Sequence, residues 1–255
     1  MVIIMNWIFD AHIHLSDEEY ESDMPFIINC MEKMHIKACS VSENYDTSIK
    51  TLELGKKSNL IFSFIGIHPQ NSNEDIEQVL ELVNSNSEKI SGIGEIGLDK
   101  TYEDSDGGFQ KQKQIFTAQL SLAEKLKKPV SIHSRKALDE IYEIIPSYSI
   151  QGMLLHWFDG NKKQLQKAMD LGFFVSFGPV MIYANDKQVL LSNTDRNKIL
   201  VETDGPVKFS KCFGLKPAQI SFIPSVIFCA SKVLRVPYNE FCSLLEENSK
   251  NFLGI

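Results

Sequence analysis

Trp7-Ile8-Phe9-Asp10-Ala11-His12-Ile13-His14-Leu15 reads as a short apolar strand that ends in two histidines one residue apart. Side chains alternate along a strand, so residues two apart share a side. His12 and His14 therefore face the same way, close enough to hold one metal ion between them. Neutral imidazole is the commonest protein ligand for transition metals, but two of them do not fill a coordination sphere. The fold turns on whether other strands end in the same chemistry.

The rhythm recurs along the chain. Apolar runs that read as strands start near residues 3, 36, 60, 90, 129, 152, 172 and 199. Between them lie stretches of helical periodicity, 24–34, 47–57, 75–83, 109–126, 137–145 and 162–171, and a short segment at 188–191. Parallel neighbours need a long crossover, usually helical, and the spacing supplies one each time. Eight such units in one domain, residues 1–255, predict an α/β fold of the (β/α)8 TIM barrel type, with its active site at the C-terminal ends of the strands. A doubly wound open sheet is the competing architecture. After Asp204 an irregular stretch, 206–216, precedes two further helices, 217–234 and 237–250, and no repeat or low-complexity run marks a second domain.

Composition narrows the class. Of 255 residues 43% are hydrophobic and 23% charged, with a formal net charge of −7, which argues against a broad basic face that coats duplex nucleic acid. A local patch that grips a strand end is compatible with that charge. The five cysteines are odd in number and lack CxxC spacing, which reads as reduced thiols in a cytoplasmic protein. The run Met1 to Phe9 has no basic leader and no cleavage site, and it is too short to span a membrane.

Five of the six histidines, His12, His14, His68, His133 and His156, fall at the C-terminal end of a predicted strand, and Glu95 and Asp204 end two more. In a barrel all seven meet at one mouth. Taken singly, each has a bland reading: a hydrogen-bonded core histidine, or a turn aspartate. Taken together, several imidazoles and two carboxylates buried without a metal would leave uncompensated charge. The donors are nitrogen and oxygen without thiolate, which points to a hydrolytic rather than a structural site. Six ligands suit two divalent metal ions about 3.5–4 Å apart with one bridging carboxylate. Glu95, central in strand order, is the expected bridge: His12, His14, Glu95 and Asp204 hold one ion, and Glu95, His133 and His156 the other. Such a pair acidifies water, and Asp204 is placed to accept a proton from it. His68 is surplus to that shell and is expected to bind a phosphate oxygen or serve the leaving group, while Arg135 is expected to clamp an anion.

In order and spacing, Asp10-Ala11-His12-Ile13-His14, Gly66-Ile67-His68-Pro69, Gly94-Glu95-Ile96-Gly97-Leu98-Asp99, Pro129-Val130-Ser131-Ile132-His133-Ser134-Arg135, Leu155-His156-Trp157-Phe158 with Gly160, and Val201-Glu202-Thr203-Asp204-Gly205-Pro206 resemble the motifs of the TatD family of metal-dependent deoxyribonucleases. The resemblance implies a barrel of the amidohydrolase superfamily type and magnesium-dependent hydrolysis of DNA phosphodiesters, often from a strand end. It implies metal ligation by His12, His14, Glu95, His133, His156 and Asp204, an active-site role for His68, and Glu202 as a neighbour one step deeper than Asp204. Two departures lie in the substrate rim. The Arg-rich segment and Asn-Glu-Pro common in the family are replaced by Val207 to Pro217, where Lys208, Lys211 and Lys216 stand in as point charges. Trp157 and Asp159 stand where Cys and Ser are frequent, and Trp157 is a candidate to stack on a base.

The leading expectation is a DNase, exonucleolytic on single-stranded or frayed ends, with magnesium, manganese or zinc as cofactor, DNA ends as partner, no membrane, and a monomeric or weakly oligomeric state. The alternative keeps the site and changes the substrate to small phosphoesters or to ester or amide bonds such as those of aminoacyl-tRNA. A barrel that has lost catalysis and only binds is a third class, disfavoured by the complete ligand set.

Overall fold

The eight apolar runs form eight parallel strands in the computed structural model, which describes residues 6–102, 108–211 and 213–255. They are β1 (Ile8–Ile13), β2 (Ile36–Val41), β3 (Ile61–Ile65), β4 (Gly92–Asp99), β5 (Val130–Arg135), β6 (Met153–Leu155), β7 (Phe174–Phe177) and β8 (Ile199–Val201), and neighbours in sequence are neighbours in the sheet. The crossovers are α1 (Met24–Met34), α2 (Tyr45–Lys57), α3 (Ile76–Ser85), α4 (Gly108–Leu126), α5 (Leu138–Ile144), α6 (Lys162–Asp170) and α7 (Asn185–Asn193), followed by α8 (Ile223–Leu234) and α9 (Tyr238–Leu253). This is the expected (β/α)8 barrel. The predicted start of the first strand, near residue 3, lies outside the described residues.

Helix starts differ from the periodicity where caps decide them. α2 begins two residues before the predicted 47 because the Asn44 side chain accepts the Thr47 N–H while Thr47 Oγ1 accepts the Asn44 N–H, a capping box. α8 begins at Ile223 rather than 217, where a 3-10 turn at Ile220–Phe222 runs into Pro224, whose missing N–H suits a first helical turn. α7 extends the predicted 188–191 to a nine-residue helix.

The ends of the sheet meet at the mouth. The Asp204 N–H donates to the His12 carbonyl at 3.0 Å, and the His14 N–H to the Gly205 carbonyl at 2.8 Å. The buried Asp10 carboxylate reinforces the seam, accepting from Thr203 N at 3.0 Å and Thr203 Oγ1 at 2.5 Å. At the opposite end α9 plugs the barrel: the Phe252 ring lies 5.8 Å from Phe64 on β3 and 5.8 Å from Phe174 on β7, strands on opposite sides. β4 opens with Gly92 because the Phe64 ring takes that space, where a Cβ would sit 2.1 Å from it.

Two register shifts aim the chemistry. Between Asp10 and Ile13 the pairing of β1 with β2 slips. Phe9 and Ala11 thus belong to the apolar interior, while His12 and His14 turn into the mouth above it. The pairing of β4 with β5 slips between Ile93 and Ile96, the stretch that carries Glu95. A bulge of this kind changes which side chains face inward. Among the described residues, no single helix is long and apolar enough to cross a membrane, and Cys30, Cys39, Cys229 and Cys242 are free thiols. Cys212 lies outside the described residues.

Candidate metal centre

All seven strand-end groups reach one mouth, a cavity of about 450 Å³ whose wall includes His14, His68, Glu95, His133, His156 and Asp204, with buried His12 directly beneath. Glu95 stands at its centre, 2% exposed. Its Oε2 lies 3.4 Å from His12 Nε2 and 3.4 Å from His14 Nε2. Asp204 Oδ1 faces the same two nitrogens at 3.7 and 3.4 Å. Glu95 Oε1 faces the other way, 2.9 Å from His133 Nδ1 and 2.7 Å from His156 Nε2. One carboxylate thus offers an oxygen to each of two donor groups.

Second contacts settle which ring nitrogen His133, His12 and His68 present. Asp99 Oδ2 lies 2.9 Å from His133 Nε2, so that nitrogen donates its proton and Nδ1 turns a lone pair to Glu95 and the mouth when the ring is neutral. His12 Nδ1 lies 2.8 Å from Ser131 Oγ, which fixes its Nε2 inward. His156 Nδ1 is buried without a hydrogen-bond partner among the described residues, 4.0 Å from Glu202 Oε1. His68 is reversed: its Nδ1 accepts the Gln70 N–H at 3.1 Å, so the neutral ring carries its proton on Nε2, 3.5 Å from Glu95 Oε1. A protonated nitrogen donates hydrogen bonds and does not ligate. The hydrogen bond from Gln70 thus sets the tautomer of His68 apart, although its ring stands with Glu95 and His133 in one cluster of possible donors.

The charges are mutually dependent. Burial works to raise Glu95, but His156, His68 and His12 hold it well below the usual carboxylate range. Burial pulls His12 and His68 down to about 4. It pulls on His14 too, yet the hydrogen bond with Asp204 and the charges of Glu95 and Asp204 lift that ring to about 9; Asp99 and Glu95 lift His133 to about 9. The donor set fits divalent metal: hard carboxylate oxygens and borderline imidazole nitrogens converge, with no aliphatic amine or thiol among them. Two of these rings hold protons that an incoming cation must displace. Metal binding should therefore release protons below pH 9, and apparent affinity should rise with pH, by up to about tenfold per unit for each proton displaced. Calorimetric titrations in buffers of different ionisation heat would count them; an affinity that does not change between pH 6 and 8 would contradict the assignment.

Of the expected substrate residues, His68, Arg135 and Trp157 line the mouth. Trp157 stacks on Phe209, ring centroids 5.4 Å apart. Lys208 does not line it: its side chain is exposed, its backbone bridges Pro217, and Val207 takes the wall. Lys211 lies over the Tyr183 ring instead. Glu202 sits deep as expected, accepting from Trp157 N at 2.7 Å and Ser176 Oγ at 2.5 Å. Burial and the nearby Asp204 raise it well above the usual carboxylate range.

Sequence reasoning missed several participants. Glu43, two residues past the end of β2, lines the mouth beside His14 and Glu95. Tyr102, just past β4, also lines the mouth, its ring centroid 6.2 Å from that of His68. Two buried glutamines on the inner face of α4 hold strand ends by their amides: Gln112 bonds the Asp99 N–H and carbonyl, and Gln119 those of Ile67, next to His68.

Comparison with known proteins agrees with this geometry. The family model described as TatD related DNase matches residues 9–254. The uncharacterized metal-dependent hydrolase YabD of Bacillus subtilis is 27% identical, over 97% of this chain and 99% of its own. Deoxyribonuclease TATDN3 of Homo sapiens is 28% identical over 77% of each. Among solved structures, the TatD homolog YJJV of Escherichia coli superposes with a TM-score of 0.89 at 21% identity, covering 97% of this chain and 98% of that one. A TatD family hydrolase of Entamoeba histolytica gives 0.85 at 19%, with the same coverage. Matched by that family model from β1 to the end of α9, the chain belongs to the TatD related DNase family of metal-dependent hydrolases.

Proposed function

We propose that this enzyme hydrolyses phosphodiester bonds in DNA, taking single-stranded or frayed ends, with two divalent ions, magnesium, manganese or zinc, as cofactor. The observation that carries the reading is Glu95, which offers one oxygen to His12, His14 and Asp204 and the other to His133 and His156. Bound there, the ions would supply Lewis-acid activation of water and of the phosphoryl group. Arg135 grips the phosphate oxygens, since a guanidinium matches them bidentately. Trp157, braced by Phe209, offers a face on which a base stacks. Asp204 receives the proton of the attacking water at its carboxylate. His68 donates its Nε2–H to the departing oxygen. The mouth, about 450 Å³, suits one unstacked nucleotide rather than a duplex. The name of the human relative, a deoxyribonuclease, supports the choice of DNA. A cytoplasmic location and a monomeric or weakly associated state belong to the same reading.

The test is direct. Purified protein should digest single-stranded DNA with added magnesium or manganese and stop with chelator. Faster turnover of small phosphate esters or of aminoacyl-tRNA than of oligonucleotides would replace DNA as the substrate.

A further inference from the structure

Glu43 lies two residues past β2, and its position is held by its backbone. Its N–H donates to Thr47 Oγ1 at 3.0 Å, and its carbonyl accepts from the His68 N–H at 2.8 Å and from Asn71 Nδ2 at 3.0 Å. The side chain differs. It opens into the mouth and, among the described residues, makes no hydrogen bond and no ion pair; its nearest ionisable neighbours are His14 and Glu95.

Strand order fixes what stands across from it. β5 is three strands away and β6 four, so Arg135 and Trp157 lie on the far side of the mouth from Glu43. Asp159 lines that far side too, but the Lys187 ammonium pairs with it. Among the described residues, the rim therefore has a cation without an ion pair on one side, Arg135, and on the other the Glu43 carboxylate, also without an ion pair, which stands within 4.8 Å of the donor atoms of His14 and Glu95 at the edge of the metal-facing set. A polyanionic strand is drawn over the first and repelled by the second.

This arrangement gives the two sides of a scissile phosphate different requirements. The phosphate-bearing chain runs out over Arg135 and Trp157. Whatever lies toward Glu43 must bring no further negative charge, and a sugar hydroxyl there can donate to the carboxylate. Resting on the reading that DNA ends are the substrate, we propose that Glu43 is a specificity-determining residue that selects strand ends bearing a free hydroxyl and rejects ends bearing a phosphate.

Metal-loaded enzyme would be given one single-stranded sequence in three forms: both ends hydroxyl, 5′-phosphorylated and 3′-phosphorylated, with metal content measured alongside. Phosphate on the digested end should lower kcat/KM by about tenfold or more, the size of one partly screened charge repulsion. Glu43→Gln should shrink that ratio to about threefold or less with metal content kept, while Arg135→Gln should slow all three forms and leave the ratio intact. Indifference of the parent enzyme to end chemistry, an unchanged ratio in Glu43→Gln, or metal loss from that variant would overturn the proposal. Failure of the metal-loaded parent to cut any of the three strands would overturn the DNA reading, and the proposal with it.

Discussion

Glu95→Gln is expected to lose both metal ions together and to lower hydrolysis on the order of a thousandfold. Glutamine keeps the size of the side chain and one oxygen, but the other oxygen becomes an NH2 group, which cannot ligate. Turned one way, the amide would present that group to His12 and His14; turned the other way, to His133 and His156. Either choice strips an oxygen from one ion, and the lost charge weakens the hold on the second. Metal analysis and calorimetry should show both affinities down by about a hundredfold or more, beyond what altering an outer-shell partner costs. Retention of one full equivalent at parental affinity would mean that Glu95 does not bridge.

The metal-free form of that variant gives an independent reading. His14 and His133 are lifted to about 9 partly by the Glu95 charge. Removing an anion lowers the pKa of a neighbouring imidazole, so NMR titration should find both rings losing their protons at lower pH in Glu95→Gln. An unmoved His133 would assign its whole shift to Asp99, 2.9 Å from its other nitrogen.

The barrel and the convergence of the strand-end donors on one mouth were legible because both follow from period and position. Apolar runs of strand length, separated by helical stretches, impose parallel pairing, and a polar side chain at the end of such a run has only the mouth to enter. What period alone could not show was the pair of register shifts: simple alternation does not put both Ala11 in the interior and His12 in the mouth. Glu43 enters the same mouth but stands two residues past β2, in the short connection before α2, where the strand period no longer points to it. Gln112 and Gln119 gave no signal, because a buried amide that satisfies a strand end looks like a surface glutamine until the partner backbone is known. Lys208 stands outside the cavity wall for a local reason. After β8 the chain turns through Gly205-Pro206, and the turn hands the inward position to Val207 and leaves its neighbour in solvent.

His68→Ala should behave in the opposite way to Glu95→Gln, keeping its metal while kcat falls about a hundredfold to a thousandfold, the range for removing one hydrogen-bond donor from developing charge. The ring is held for that work. Pro69 follows it, Gln70 N–H occupies its Nδ1, Gln119 clamps the preceding Ile67, and its ring centroid stands 4.4 Å from that of His133. Burial pulls its pKa to about 4, so at neutral pH the ring is uncharged and its single proton sits on Nε2, aimed at the centre. A donor in that position helps most when the departing oxygen carries most charge. The loss in His68→Ala should therefore be large for a nucleotide leaving as an alkoxide and small for a phosphate diester whose leaving group is a nitrophenolate. His68→Gln, which restores an N–H of similar reach, should recover part of the rate without changing metal content. Equal losses with both leaving groups would move His68 from the departing oxygen to the phosphate. Metal loss matching that of Glu95→Gln would make it a ligand and reverse the tautomer assigned from Gln70.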